Sequence, residues 1–202
     1  MLFSRKESPI PSIHYQDYKP HLRRDFLYRC AYCCIHEGHF GGLRNFHVDH
    51  FRPKKRFPDL EVADENLYYA CSICNNSKGD AWPSPQQSES GFRFVDPCME
   101  DPYDVHFRIV NDGSLQPLSN AGRYTSGHLR LNRPQLVTHR RRLNEFKLKY
   151  DEVRILVQSR RVPPELANRA LREIEKLLKI YLDPDPDVPY EPADLLEPPE
   201  KS

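Results

Sequence analysis

Two C-x-x-C pairs, Cys30/Cys33 and Cys71/Cys74, constrain this chain more than any other feature, because together they supply the four thiolates of a complete tetrahedral metal site. A secreted protein would spend six cysteines on disulfides. Here the opening MLFSRKESPIPS lacks the uninterrupted apolar core of a signal peptide, and no stretch of about 20 apolar residues is present to span a membrane. The expected location is therefore cytoplasmic, where such pairs read as zinc ligands. With all four positions filled by protein, the zinc is expected to be structural and to stabilise the core by an apparent ~10 kcal/mol or more. A staple suits a chain of 202 residues that is only 38% hydrophobic and 29% charged, which has material for one compact unit. The 37 residues between Cys33 and Cys71 exceed a minimal zinc ribbon, so something is inserted between the two knuckles.

The insert is a strand. Asn45 to His50 alternates, with Phe46 and Val48 on one face and His47 and Asp49 on the other, and Pro53 stops the ladder. After turn material from Pro58 to Glu65, NLYYA forms a second short strand running into the second knuckle, and Asn75 to Asp80 begins a short helix. Upstream, residues 1–14 form an N-terminal arm, and a helix over Lys19–Arg29 delivers the chain to Cys30. The run after Cys33, with Cys34 as a spare thiol and Gly38, Gly41 and Gly42, is a loop, and its His36 and His39 are read as loop residues rather than ligands.

Downstream, VHFRIV and SLQPL flank Asn111-Asp112-Gly113, the signature of a β-hairpin. Cys98 there is read as a small buried residue. From Asn132, a plausible N-cap, a helix carries a stripe of Leu136, Leu143, Phe146, Tyr150, Val153 and Val157. Pro163-Pro164 breaks it, and a second helix follows with Ala167, Leu171, Ile174, Leu178 and Tyr181. The expected architecture is α+β. It has a core of two short strands and a helix with a four-cysteine zinc site over 15–83, an added hairpin over 84–131, a C-terminal helical hairpin over 132–182 and a disordered acidic tail over 183–202.

A second, harder set of ligands lies inside the core. Asp49 offers a carboxylate oxygen and Asn75 an amide oxygen, both suited to Mg2+ or Mn2+, with Asn76 beside the latter. His50, next to Asp49, is a natural general base. Asn66 suits a role in fixing the loop after the strand, and Lys78 a role in neutralising transition-state charge. His47, two residues before Asp49, reads as a hydrogen-bonded strand histidine or an outer contact to the metal. Asp-His alone is a weak signal. Asp-His, then Asn, then C-x-x-C-Asn-x-x-Lys, all preceded by another C-x-x-C, is a strong one.

Residues 30 to 80 resemble the zinc-stapled branch of the HNH endonucleases, whose fold is a β-hairpin and a helix around one metal. The resemblance implies a metal-binding role for Asp49, a general-base role for His50, a loop-fixing role for Asn66 and a metal-ligand role for Asn75. HVDHFRPK, CNNSKGD and GRYTSGHLRLNR are further similar to stand-alone bacterial HNH proteins that include the nuclease subunit of Septu-type anti-phage systems, a group in which a partner ATPase controls cutting.

The formal charge of +1 hides an asymmetry. Leu182 to Ser202 carries seven acids against one lysine, which leaves the body with 29 basic and 22 acidic residues. A basic body suits a polyanion, and Arg52, Lys54, Lys55 and Arg56 lie where a nucleic-acid backbone would be gripped. Arg140, Arg141, Arg142, Lys147 and Lys149 read as a solvated helix face. The expected activity is metal-dependent cleavage of DNA, with an ATPase subunit or a second copy as protein partner. The rival from another class is a non-catalytic zinc-stapled nucleic-acid-binding or adaptor subunit.

Overall fold

The computed structural model describes residues 3–5, 12–103, 105–158 and 163–182; the acidic segment 183–202 lies outside them. Helix α1 (Lys19–Asp25) is shorter than its sequence pattern suggests. Leu27 and Tyr28 take left-handed φ of 52° and 59°, and the Tyr28 N–H turns back to Arg23 O at 2.8 Å. That reversal bridges Arg29 to His36 and closes the first knuckle, with Cys30 N–H on Ile35 O at 3.0 Å.

Strands β1 (Phe46–His50) and β2 (Leu67–Cys71) pair antiparallel, with Phe46 opposite Cys71, Asp49 opposite Tyr68 and His50 opposite Leu67. β2 is buried along its whole length because α1 packs against it and helix α2 (Ser72–Lys78) folds back on both strands. This explains its uninterrupted LYYAC composition, where a strand with one wet face would alternate. α2 starts three residues earlier than expected, so Cys74 falls in its first turn, and it ends at Gly79. Around this ββα unit runs an aromatic core in which Phe51, Phe26 and Tyr32 surround the Tyr68 ring at 5.0, 5.4 and 6.2 Å between centroids. The N-terminal residues contribute to it. Phe3 is buried, its N–H on Pro97 O at 2.9 Å, and Arg5 lies over Tyr68 at 4.8 Å.

The next stretch is richer in helix than its sequence suggests. A capping box of Ser84 and Gln87 starts α3 (Pro85–Glu89). The hairpin is present but short, with β3 (Phe107–Ile109) pairing to β4 (Leu115–Pro117). Only Gly113 of its turn takes a positive φ, 88°. A Cβ there would lie 2.3 Å from Val137 O, so glycine also lets the next long helix approach. Helix α4 (Asn120–His128), opened by Ser119, is a further addition, since its polar, glycine-containing sequence shows no apolar period.

Helix α5 (Pro134–Gln158) and α6 (Pro164–Leu182) pack on each other. Three expectations for this region need correction. Asn132 caps no helix: its amide takes Leu115 N–H at 2.7 Å and donates to Leu115 O at 2.8 Å, tying β4 down. Among the described residues the α5 stripe is fully buried only at Leu136, whereas Phe146, on the part that packs against α6, is 42% exposed. Arg140, expected on a solvated face, is buried and donates to Gly113 O at 2.6 Å and Leu131 O at 2.8 Å. The result is the α+β class, with two small hairpin sheets and a four-cysteine cluster.

Candidate active site

The four cysteines converge from two directions: Cys30 and Cys33 from the turn after α1, Cys71 from the end of β2 and Cys74 from α2. All their sulfurs lie within 4.8 Å of one another. Cys33 Sγ and Cys71 Sγ are 3.8 Å apart, far beyond a disulfide. That matches the edge of a tetrahedron with Zn–S near 2.3 Å, roughly 3.8 Å. The donor set and its spacing therefore fit zinc. Donation from the Cys30, Cys33 and Cys74 thiols pulls Cys71 well below the ordinary thiol range, whereas burial pushes Cys30 well above it.

Arg133, the last residue of GRYTSGHLRLNR and not expected near the metal ligands, covers this cluster. Its guanidinium sits 3.6 Å from Cys33 Sγ, 3.6 Å from Cys74 Sγ and 3.8 Å from Cys71 Sγ. Burial opposes its charge, yet the neighbouring Cys74 and Cys33 sulfurs hold its pKa above the ordinary arginine value. The same side chain donates to Leu129 O at 3.3 Å, joining the cluster to the end of α4.

Asp49 lies on β1 and is 5% exposed. Tyr32, inside the first knuckle, donates its hydroxyl to Oδ2, and Lys78 Nζ lies 3.1 Å from Oδ2 and 3.3 Å from Oδ1. Burial raises the Asp49 carboxyl above its usual range, opposed by the Lys78 ammonium, the Tyr32 hydroxyl and His50. An ionised carboxylate has about four lone-pair directions. Tyr32 and Lys78 take up to three, so Asp49 fits a divalent ion through a single oxygen. Asn75 is half-buried on α2, one turn before Lys78 and on the same side of the helix, while Asn76 is exposed.

His50 Nε2 is 2.8 Å from Glu61 O, and the Tyr15 ring packs edge-on against the imidazole at 4.6 Å. Asn66, 3% exposed, spends its amide entirely on backbone: Oδ1 accepts from Arg52 N at 2.8 Å, while Nδ2 donates to Arg52 O at 3.0 Å and Leu60 O at 3.1 Å. Lys78 is 2% exposed, and besides Asp49 it donates to His50 O at 2.5 Å. Buried in this way, its ammonium is spent on Asp49 and the strand. His47 is exposed on β1, and Cys98 is half-buried with its N–H on Asp96 at 2.9 Å.

Of the four basic residues after His50, all exposed, two are paired with acids: Lys54 with Glu61 at 2.7 Å, and Lys55 with Asp80. Arg56 donates to Trp82 O at 3.2 Å, and Arg52 stacks 5.7 Å from the Phe57 ring centre.

This geometry coincides with a family match. Residues 30–81 match the HNH endonuclease family. The HNH domain takes in both knuckles, β1, β2 and α2, about a quarter of the chain. It implies nuclease function on a nucleic-acid substrate, and HNH nucleases use divalent metals. No curated protein matches the chain at a significant level. Among the described residues no helix is long and apolar enough to cross a membrane.

Proposed function

We propose that this chain is a metal-dependent endonuclease that hydrolyses phosphodiester bonds in DNA, with His50 as the general base. The hydrogen bond between His50 Nε2 and Glu61 O carries the reading. A carbonyl oxygen only accepts, so Nε2 carries a proton, and in the neutral ring that a general base requires Nδ1 keeps its lone pair. Nδ1 then takes a proton from water as the water oxygen attacks phosphorus; the P–O3′ bond breaks, and the 3′ oxygen is protonated by solvent, leaving 5′ phosphate and 3′ hydroxyl ends. Tyr15 and Glu61 O fix the plane of the base. Mg2+ or Mn2+ held by Asp49 and Asn75 would supply stabilisation of the charge that builds on the phosphate and the leaving oxygen.

The remaining residues act through these. Asn66 fastens both ends of the loop that delivers Glu61 O. Lys78 and Tyr32 orient Asp49. The cysteines, with structural zinc, hold the knuckles from which Tyr32 and α2 project, and Arg52 and Arg56 grip the backbone. The flanking motifs support a role as the effector nuclease of a cytoplasmic anti-phage system, under a partner ATPase or within a homo-oligomer.

An adaptor that binds without cutting would need the cysteines and the basic residues only. Asp49→Asn distinguishes the two readings, since it keeps the shape of the side chain beside Lys78. The nuclease reading expects DNA binding within about twofold of wild type and cleavage down by roughly tenfold or more. Cleavage unchanged by Asp49→Asn would contradict it.

A further inference from the structure

One ring away from Asp49 lies a cleft that the hydrolytic site does not use. Lys78 Nζ, which holds Asp49, sits 5.8 Å from the Phe94 ring centre. The other side of Phe94 meets Tyr124 at 5.0 Å and His128 at 5.7 Å, and these two rings lie 4.0 Å apart. They line an open cleft of about 470 Å³ between α3 and α4, together with Gln87, Phe92, Arg123 and Gly127. Its size suits one nucleobase with its sugar, at the lower end of small-ligand sites.

The chemistry of the lining is selective. Phe92, Tyr124 and His128 line it with aromatic rings, of which Tyr124 and His128 also pack on each other, and Arg123 brings an exposed cation. Gln87 Oε1 is taken by the α3 capping box, so what it can offer a ligand is its N–H donors. His128 Nδ1 is 3.0 Å from Tyr124 O and so carries a proton there, and in the neutral tautomer with that proton Nε2 is the acceptor. Ring faces, a donor, an acceptor and a cation are what an unstacked base and its phosphate require. The rings continue towards the loop after β1 through Trp82, 6.2 Å from Phe94, and Arg56 holds Trp82 O.

Gly127 gives direct access to the cleft. It lies inside α4, where glycine costs roughly 1 kcal/mol relative to alanine. It has no positive φ, and a Cβ built on it meets nothing within 4 Å. Neither the backbone nor the packing asks for glycine there, and the direction a side chain would take is open space beside the cleft, so a long side chain at this position has room to enter it.

We infer that this cleft holds an unpaired nucleobase of the nucleic acid, a few nucleotides from the scissile phosphate, so that the enzyme selects DNA with a bulged, flipped or single-stranded base near the cut. The inference rests on the nuclease reading for its biological sense but is tested by binding alone. Two fluorescein-labelled DNA duplexes of one sequence, one fully paired and one with a single unpaired adenine, are titrated by anisotropy with the full chain and its variants. Wild type is expected to prefer the bulged DNA by about tenfold, the size of one base-aromatic stack. Gly127→Ala, which gains helix propensity and fills little, retains that preference. Gly127→Leu, which fills the cleft at a position free of clashes, removes it while leaving affinity for paired DNA within about twofold. Arg123→Gln weakens the bulged complex in the same direction without touching the helix backbone. Equal affinity of wild type for the two duplexes, or a preference that survives Gly127→Leu, overturns the cleft. A preference that wild type shows and Gly127→Leu loses, with neither duplex cut by wild type, supports the cleft and overturns the hydrolytic reading instead.

Discussion

Tyr32 stands between two cysteines of the zinc knuckle and gives its hydroxyl to Asp49, so a single side chain links the thiolate cluster to the carboxylate on β1. Tyr32→Phe keeps the ring on Tyr68 and removes only that hydrogen bond. It is expected to raise the Mg2+ or Mn2+ concentration needed for half-maximal cleavage by about tenfold, with the melting temperature changed little. An unchanged metal requirement would show that Lys78 suffices. Arg133 has the matching place over the sulfurs, where its charge would offset part of the negative charge of a tetrathiolate holding zinc. Arg133→Met should speed zinc transfer to a chromogenic chelator by about 10- to 100-fold, with Arg133→Lys in between. Release at the wild-type rate would remove it from the site. The sequence exposes the ligands because sulfur and carboxylate carry their chemistry in the residue type. Tyr32 and Arg133 carry theirs in position, and a tyrosine within CAYC or an arginine before a proline has many other uses.

Among the elements, β1, β2 and their order around the knuckles are legible in the sequence, because Phe46 and Val48 alternate and LYYAC is apolar throughout. α4 is not: its register is set by Ser119 and by the Thr125 hydroxyl, which takes Val95 N–H at 2.8 Å, contacts that no period encodes. The sequence pattern overruns α1 because Phe26 and Leu27 continue its apolar spacing, whereas the backbone turns back at Leu27 to close the knuckle. α5 is anchored through its first turns, and there His139 introduces a pH dependence. Burial, helped by His39 and by the charges of Arg29, Arg140 and Arg142, lowers its pKa from 6.5 to about 4. Below pH 6.5 the unfolded chain takes up a proton that the folded one refuses until about pH 4, so this group costs stability progressively across that window and nothing above it. His139→Gln should therefore shrink the drop in melting temperature between pH 7 and pH 5, as measured by circular dichroism. An identical drop in both proteins would place the acid sensitivity elsewhere.

For the whole molecule, the low apolar content and the two C-x-x-C pairs point to a small core fastened by metal, and the buried residues form one aromatic-rich cluster around the ββα unit and the cysteines. The body's basic excess is legible as a count but not as a surface. Lys54 and Lys55 are neutralised locally by Glu61 and Asp80, and Arg140 is buried, so the cations that remain for a polyanion include Arg52, Arg56 and Arg123. They lie on the elements that carry His50 and the α3–α4 cleft, and charge placement of this kind is decided by tertiary pairing alone. At the centre of the proposed chemistry, a neutral, carbonyl-held His50 drives hydrolysis within a zinc-held frame. The most direct measurement of it is plasmid cleavage in Mg2+ or Mn2+ by wild type and His50→Ala, each shown to contain one zinc and to bind DNA equally. The expected result is that His50→Ala cuts more slowly by about a hundredfold or more. Cutting at the wild-type rate by a zinc-loaded His50→Ala protein would contradict it.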